Sequence, residues 1–164
     1  MFENPYRLLS LFEVVENVKG RKKLQKMVHL LENAGSDFPF KFDYHFYGPY
    51  SAELQAEIEG MVRQGLLEEK KEDSAFVYAM TERGKQLKEQ METMAGYQFP
   101  LNVTLARSLS EQSSQFLEMV STYAYLLDSD YDDQAAAEKA VELKPHLGHY
   151  IEDAVEFYRT RVIV

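Results

Sequence analysis

The amino-acid sequence predicts an α+β protein that is predominantly α-helical, and two observations support this prediction. Apolar residues recur at intervals of three and four through most of the 164 residues, which is the spacing of one face of an α-helix. Short stretches in the first half of the chain instead follow the pattern of extended strands. With 45% hydrophobic and 27% charged residues, the chain has the composition of a folded protein. Its length suits one domain, or a small domain with an appendage.

Two amphipathic helices open the chain. The first is predicted to run from residue 4 or 5 to about Val18, where Gly20 ends it, because glycine readily takes the left-handed conformation that closes helices. The second begins at Arg21, and Asn33 and Gly35 close it. Both segments carry their apolar residues on one face, which is the pattern of helices that cover a core.

An aromatic segment follows the second helix. Aromatic residues at positions 40, 42, 44 and 46 alternate with polar residues, and this period of two predicts a short, half-buried strand. Gly48 and Pro49 are then expected to form a turn. Ser51 is predicted to be the N-cap of a third helix that continues to about Leu66.

A β-hairpin and a fourth helix complete the first part of the chain. Strands are predicted near residues 66–70 and at Ala75–Met80, with a charged turn between them, and the fourth helix over residues 81–94. Three helices followed by a two-stranded wing is the winged-helix arrangement. We therefore expect a winged-helix-like domain at residues 1–96.

The charge of the chain changes after Pro100. Residues 97–164 hold eleven acidic against five basic side chains, a net charge of −6, whereas residues 1–96 hold sixteen against thirteen, a net charge of −3. The predicted elements are one long helix over 103–127, an acidic loop over 128–133, and helical segments over 134–143 and 145–162. Residues 97–164 are therefore expected to form an α-helical extension that packs on the first domain or on a second copy, which would make the protein a homodimer.

Three motifs carry a resemblance to known proteins: G-R-K-K-L-Q-K-M at residues 20–27, H-F-Y-G-P-Y-S at residues 45–51, and the pair Gly65-Leu66. Together, and across the whole chain, they resemble the YwgA-like bacterial proteins, a resemblance that implies no particular function. A K-L-Q-K core, an aromatic strand and a Y-G-P turn before a helix also resemble, over about residues 20–67, the Panacea, or SocA-like antitoxin, domain. This second resemblance implies a compact domain that holds a partner protein in toxin–antitoxin pairs, rather than an enzyme.

The favoured hypothesis is a non-catalytic interaction module that binds a partner protein of unknown identity. Its candidate contacts are basic residues at the start of the second helix and aromatic residues of the extended segment: Arg21, Lys22, Lys23, Lys26, Tyr44, Phe46, Tyr47 and Tyr50. A positive cluster at a helix start opposes the helix dipole, so an anionic neighbour would relieve it. For the basic cluster, the alternative neighbours are acidic groups of the protein itself, solvent and nucleic acid. For the aromatic residues, the alternative is a place in the core.

The alternative hypothesis is a DNA-binding winged-helix regulator. Its contacts would be Lys22, Lys23, Arg63, Lys70 and Lys71. The third helix of such a domain enters the major groove. Here that helix carries Glu53, Glu57 and Glu59, and the whole chain has a net charge of −9, so groove entry would bring carboxylates toward phosphates. The sequence therefore favours a protein partner over nucleic acid.

No catalytic residue, metal or cofactor is expected. The chain has no cysteine and none of the usual phosphate-binding, metalloprotease or serine-hydrolase motifs. Glu142, His146, His149 and Asp153 have a spacing that one helical face could present to a metal ion, but Pro145 separates Glu142 from the others. We therefore predict solvated or capping histidines there, with a metal-dependent enzyme as a third hypothesis.

The location of the protein is predicted from two further features. No stretch approaches the roughly 18 apolar residues of a membrane span. Glu3, Glu13 and Glu16 interrupt the N-terminal segment, where a signal peptide would be apolar. We therefore expect a cytoplasmic protein that does not associate with membranes.

Overall fold

The computed structural model describes residues 2–163 and confirms a predominantly helical α+β protein. Within those residues the α-helices are α1 (Glu3–Val15), α2 (Arg21–Asn33), α3 (Ala52–Arg63), α4 (Glu82–Ala95), α5 (Val103–Ser110), α6 (Ser114–Asp128), α7 (Asp133–Leu143) and α8 (Ile151–Phe157). A 3-10 helix, Pro145–Tyr150, precedes α8, and a π-helical turn, Tyr158–Val162, follows it. The strands are β1 (Asn17–Lys19), β2 (Asp43–His45), β3 (Gly48–Tyr50), β4 (Leu67–Glu72) and β5 (Ala75–Met80). As predicted, helices and a β-hairpin form the N-terminal part, and helices form the C-terminal part.

A three-stranded antiparallel sheet, in the order β1-β5-β4, contains the predicted hairpin and one further strand. Helix α1 ends at Val15 because Glu16 takes a positive φ of 64°, and β1 then pairs with β5. Val18 lies opposite Tyr78 in this pair, and both side chains are buried. The predicted extension of the first helix to Val18 is therefore wrong. Three residues are too few to show a strand period, so the pairing with β5 and the burial of Val18 decide their conformation.

The aromatic segment forms a second, two-stranded sheet from β2 and β3. Its turn lies at Phe46 and Tyr47, so the predicted turn at Gly48 and Pro49 is wrong. Gly48 instead begins β3 with a φ of 87°, and a Cβ atom there would lie 3.1 Å from Thr122 Oγ1. Glycine is thus favoured because the strand bends and passes close to α6.

The single helix predicted over residues 103–127 is also wrong, because α5 and α6 are separate helices. Ser113 is the N-cap of α6, and its Oγ accepts a hydrogen bond from Phe116 N at 3.1 Å. An N-cap satisfies the N–H groups of a new first turn and so competes with continuation of the preceding helix. The apolar spacing runs on through the break, which is why periodicity alone predicts one helix.

The core centres on α2, whose residues are buried without interruption from Leu24 to Leu31. Helix α6 packs against α2 and is itself buried from Leu117 to Ala124. The C-terminal helices therefore share a core with the N-terminal helices of the same chain. The domain boundary at residue 96 and the homodimer stay predictions. Across residues 2–163, no helix has both the length and the apolar composition needed to cross a bilayer.

The packing of α4 against Leu66, in the turn that follows α3, predicts that alanine at two glycine positions has opposite effects on stability. Gly84→Ala should destabilise the protein by about 2 kcal/mol or more, because its Cβ would lie 2.3 Å from the carbonyl oxygen of Leu66. That carbonyl is held in place by a hydrogen bond from Thr81 N at 3.1 Å. Urea unfolding of the purified variant measures the loss.

Gly60→Ala in α3 is the matched control. The nearest atom to the added Cβ is Arg63 Nη2 at 3.7 Å, so there is room for the methyl group. Alanine is the better helix former, and we expect a gain of up to about 1 kcal/mol. Equal losses at Gly60 and Gly84 would contradict the packing described.

Candidate functional site

A cavity of about 390 Å³ opens between the first turns of α2, the β2–β3 hairpin and α3. Besides His45, its cationic and aromatic lining residues are Arg21, Lys22, Lys26, Phe46, Tyr47 and Tyr50. These last six are among the eight residues that the sequence analysis singled out as partner contacts. The fold therefore brings the basic cluster and the aromatic segment together, and we refer to this cavity as the basic pocket.

Helix α2 holds the β2–β3 hairpin by hydrogen bonds from buried side chains. Gln25 Nε2 donates to the carbonyl oxygen of Ser51 at 2.9 Å, and Ser51 N donates to Gln25 Oε1 at 2.8 Å. Lys26 Nζ donates to the carbonyl oxygen of Pro49 at 2.8 Å. Ser51 is the predicted N-cap of α3, and its Oγ accepts from Leu54 N. Adjacent residues of the K-L-Q-K motif thus bind the backbone of the Y-G-P-Y-S motif.

Lys26 is an unusual group for the wall of a pocket, because its side chain is only 1% exposed. Burial lowers the pKa of its ammonium group to about 8, the nearby Glu118 opposes this shift, and Lys144 and Lys22 add to it. Glu118 is itself engaged by Lys144, whose Nζ lies 3.1 Å from Glu118 Oε2. Among residues 2–163, no carboxylate forms an ion pair with Lys26.

The tip of the hairpin exposes aromatic side chains on a backbone that is held in place. Phe46 is 93% exposed and Tyr47 is 56% exposed. Lys144, which is 3% exposed, donates a hydrogen bond to the carbonyl oxygen of Phe46. Lys22 Nζ lies 3.4 Å from the centre of the Tyr47 ring, in a cation–π contact.

Two predicted contact residues lie outside the basic pocket. Lys23 Nζ donates to the carbonyl oxygen of Ser110 at 2.6 Å, which ties α2 to α5. The ring of Tyr44 packs against that of Tyr125 in α6, with 5.8 Å between the ring centres. Arg21 does line the pocket, but its Nε also donates to Tyr78 Oη at 3.0 Å, so part of its role is to join α2 to the sheet.

The residues proposed for DNA contact have acidic neighbours. Lys70 Nζ lies 3.5 Å from Glu68 Oε1 on the same strand. Arg63 is exposed in the last turn of α3, on a helix that also exposes Glu53 and Glu59. DNA binding through these residues and Lys71 stays a prediction.

Two of the four residues considered for a metal site, Glu142 and His149, have other contacts. Lys139 Nζ lies 3.2 Å from Glu142 Oε1, and the ring of His149 stacks on that of Tyr150 with 4.1 Å between centres. Over residues 2–163, the structure contains no group of three histidine or acidic side chains that could hold a metal ion.

A second cavity, of about 480 Å³, contains ionisable groups that the sequence analysis did not select. Burial raises the pKa of Glu32 to about 7, and its Oε2 atom is buried without a hydrogen bond to any described residue. Burial lowers the pKa of His29 to about 3, and its Nδ1 atom lies 2.6 Å from Ser121 Oγ. The only sequence signal was that the two residues lie three apart on α2, and so share a face.

The two hydrogen bonds of Gln25 predict a stability effect. Gln25→Met keeps the size of the side chain but leaves the N–H group of Ser51 unpaired in the interior. It also removes one of the two hydrogen bonds to the carbonyl oxygen of Ser51, which still accepts from Gln55 N at 3.2 Å. The loss should be about 2 kcal/mol. Thermal and urea unfolding measure the loss. Gln55→Met is the control, because among the described residues the Gln55 side chain bonds only to the exposed Glu59. Its effect should stay within about 0.5 kcal/mol, and similar losses at both positions would contradict the proposed clamp.

The raised pKa of Glu32 predicts a dependence of stability on pH. The folded protein holds the Glu32 proton up to a pKa of about 7, while the unfolded chain releases it at the ordinary glutamate pKa of about 4.5. Ionised Glu32 therefore costs stability as the pH rises between these values. Glu32→Gln should stabilise the protein at pH 8 by about 1 kcal/mol, after allowance for its partial exposure, and much less at pH 4.

Glu89→Gln is the control for this measurement. Glu89 is exposed on α4, and the change should stay within about 0.5 kcal/mol at both pH values. Chemical denaturation at pH 4 and pH 8 gives the comparison. A Glu32→Gln variant that is no more stable than the parent at pH 8 would show that Glu32 is not held in an unfavourable environment.

Comparisons with known proteins support one family assignment. No family model matches the chain, so the more distant resemblance to the Panacea domain stays a prediction. The chain is 34% identical over 152 residues to a Bacillus subtilis (strain 168) protein named "Uncharacterized protein YwgA", and the match covers 88% of this chain and 86% of that protein. The resemblance noted from the sequence motifs is thereby confirmed, and the chain belongs to the YwgA-like family.

Proposed function

We propose that this protein is a non-catalytic interaction module that binds a partner protein through the basic pocket and the tip of the β2–β3 hairpin. The observation that carries the proposal is the 93% exposure of Phe46 at the tip of a hairpin whose backbone is held by buried side chains. An aromatic side chain that is exposed to water does not stabilise the isolated fold, whereas buried aromatic residues contribute much of the binding energy at many protein interfaces.

The charge distribution supports the same face. The whole chain carries a net charge of −9, but Arg21, Lys22 and Lys26 all line the basic pocket. A positive site on an acidic molecule favours an approach by an acidic partner surface in one orientation. Glu59 also lines the pocket, where it bonds to Gln55, and Arg21 Nη2 lies 3.5 Å from Glu69 Oε2. Among the described residues, Lys22 and Lys26 form no ion pair with a carboxylate, so they supply the unpaired positive charge of the site.

The resemblance to the Panacea domain also supports a protein partner. The motif residues that carry it are not scattered over the structure: Gln25 and Lys26 bond to Ser51 and Pro49, and together they build the basic pocket. A family motif whose residues form one surface cavity is consistent with a shared binding face. On this proposal the protein is antitoxin-like in holding its partner without catalysis.

Site-specific photo-cross-linking in living cells tests the proposal. A benzophenone amino acid at position 46 should give a discrete protein adduct. The same amino acid at position 94 should not, although Met94 is also 84% exposed on α4. Lys22→Glu should abolish the position-46 adduct, because Lys22 packs on Tyr47 beside the pocket, whereas the exposed wing variant Lys71→Glu should preserve it.

Two results would contradict the proposal. One is the same pattern of adducts at positions 46 and 94, which would indicate non-specific contact. The other is capture of nucleic acid at position 46 that disappears after nuclease treatment, which would support the DNA-binding alternative. Circular dichroism of the Lys22→Glu variant shows whether it remains folded.

A further inference from the structure

The buried charges below the β2–β3 hairpin do not balance. Lys26 and Lys144 are both almost fully buried, and within residues 2–163 the only buried carboxylate beside them is Glu118, which pairs with Lys144. Buried ammonium groups are costly unless they are paired or neutralised. Within the described residues, Lys26 thus shares the field of Glu118 but forms no ion pair of its own.

Lys26 also has unused hydrogen-bonding capacity at the wall of a cavity. An ammonium group carries three N–H donors, and the structure pairs Lys26 Nζ with one acceptor, the carbonyl oxygen of Pro49. Lys26 lines the basic pocket, and Arg21 and Lys22 line it with like charge. An anion that entered the pocket would be attracted by these charges, and Lys26 in the wall has N–H groups left to donate to it.

The dimensions and the rim of the pocket favour a peptide over a small inorganic anion. A cavity of about 390 Å³ can take one or two side chains. The exposed Phe46 and Tyr47 rings beside it provide apolar surface that an inorganic ion would leave uncovered. A segment with an acidic side chain next to apolar residues matches both features.

We propose that the basic pocket binds the carboxylate of an Asp or Glu side chain in an extended segment of the partner protein, with Lys26 Nζ as its buried anchor. This inference rests on the proposed function and specifies the chemistry of the partner. Lys22 attracts the segment at the rim, and Phe46 and Tyr47 cover the apolar residues next to the carboxylate. Arg21, which is paired with Glu69, adds less to this attraction.

Selection from a random peptide library displayed on phage tests this assignment with the full-length protein. We expect the selected peptides to share an Asp or Glu beside an aromatic or aliphatic residue. For a synthetic peptide of the selected sequence, replacing that acid by its amide should weaken binding about tenfold or more. Lys26→Met should weaken the acidic peptide to a similar extent, and should change the affinity of the amide peptide little.

The exposed Lys71→Met variant is the matched control and should bind both peptides as the parent does. Because Lys26→Met also removes the bond to Pro49, a second measurement uses the unaltered protein. The Nζ resonance of Lys26 is followed by NMR through a pH titration. Binding of the acidic peptide should raise the pKa of Lys26, whose charged neighbours are Lys22 on α2, Glu118 on α6 and Lys144.

The outcomes separate the inference from the proposed function. Selected peptides without a shared acid, or an acidic peptide that leaves the pKa of Lys26 unchanged, would overturn the carboxylate site while the interaction module stands. Failure to select any peptide would also overturn it, and the position-46 cross-link would then decide the proposed function separately.

Discussion

The polar contacts of a buried helix, α2, support much of this structure. From Leu24 to Leu31 the helix meets protein on all sides, so its polar side chains need partners in the interior. Gln25 binds Ser51, Lys26 binds Pro49, and His29 meets Ser121 of α6. These bonds attach the β2–β3 hairpin and α6 to the same helix, and the basic pocket exists because the hairpin is held there.

A hairpin anchored in this way is prepared for binding. An interface residue on a mobile loop must be ordered when the complex forms, and the entropy lost reduces affinity. Here buried polar contacts from α2, and from Lys144, already fix the backbone of the hairpin. Phe46 is thereby presented to solvent on a backbone that is ordered before any partner arrives. Lys26, whose charge has no ion-pair partner among the described residues, lines the same pocket as Phe46. A partner bound there would make an apolar contact with Phe46 and an electrostatic contact with Lys26.

Sequence reasoning found the components of the site because both motifs are unusual in composition. It also named Lys23 and Tyr44, which lie outside the pocket. Residues 21, 22, 25 and 26 share one face of α2 through spacings of four, whereas Lys23 points toward α5, where it bonds to Ser110. Tyr44 packs against α6, and nothing in the aromatic pattern distinguishes its environment from that of Phe46.

The sequence by itself determined the elements whose signals are local. The hairpin β4–β5 and helix α3 followed from periodicity and from the N-cap Ser51, since caps and periods depend on neighbouring residues. Only the tertiary structure decided that Asn17–Lys19 forms a strand and that Lys26 is buried. Sequence patterns place a lysine on the protein surface. Lys26 is buried because α6 and the hairpin pack over α2, and this packing joins residues that lie far apart in the chain.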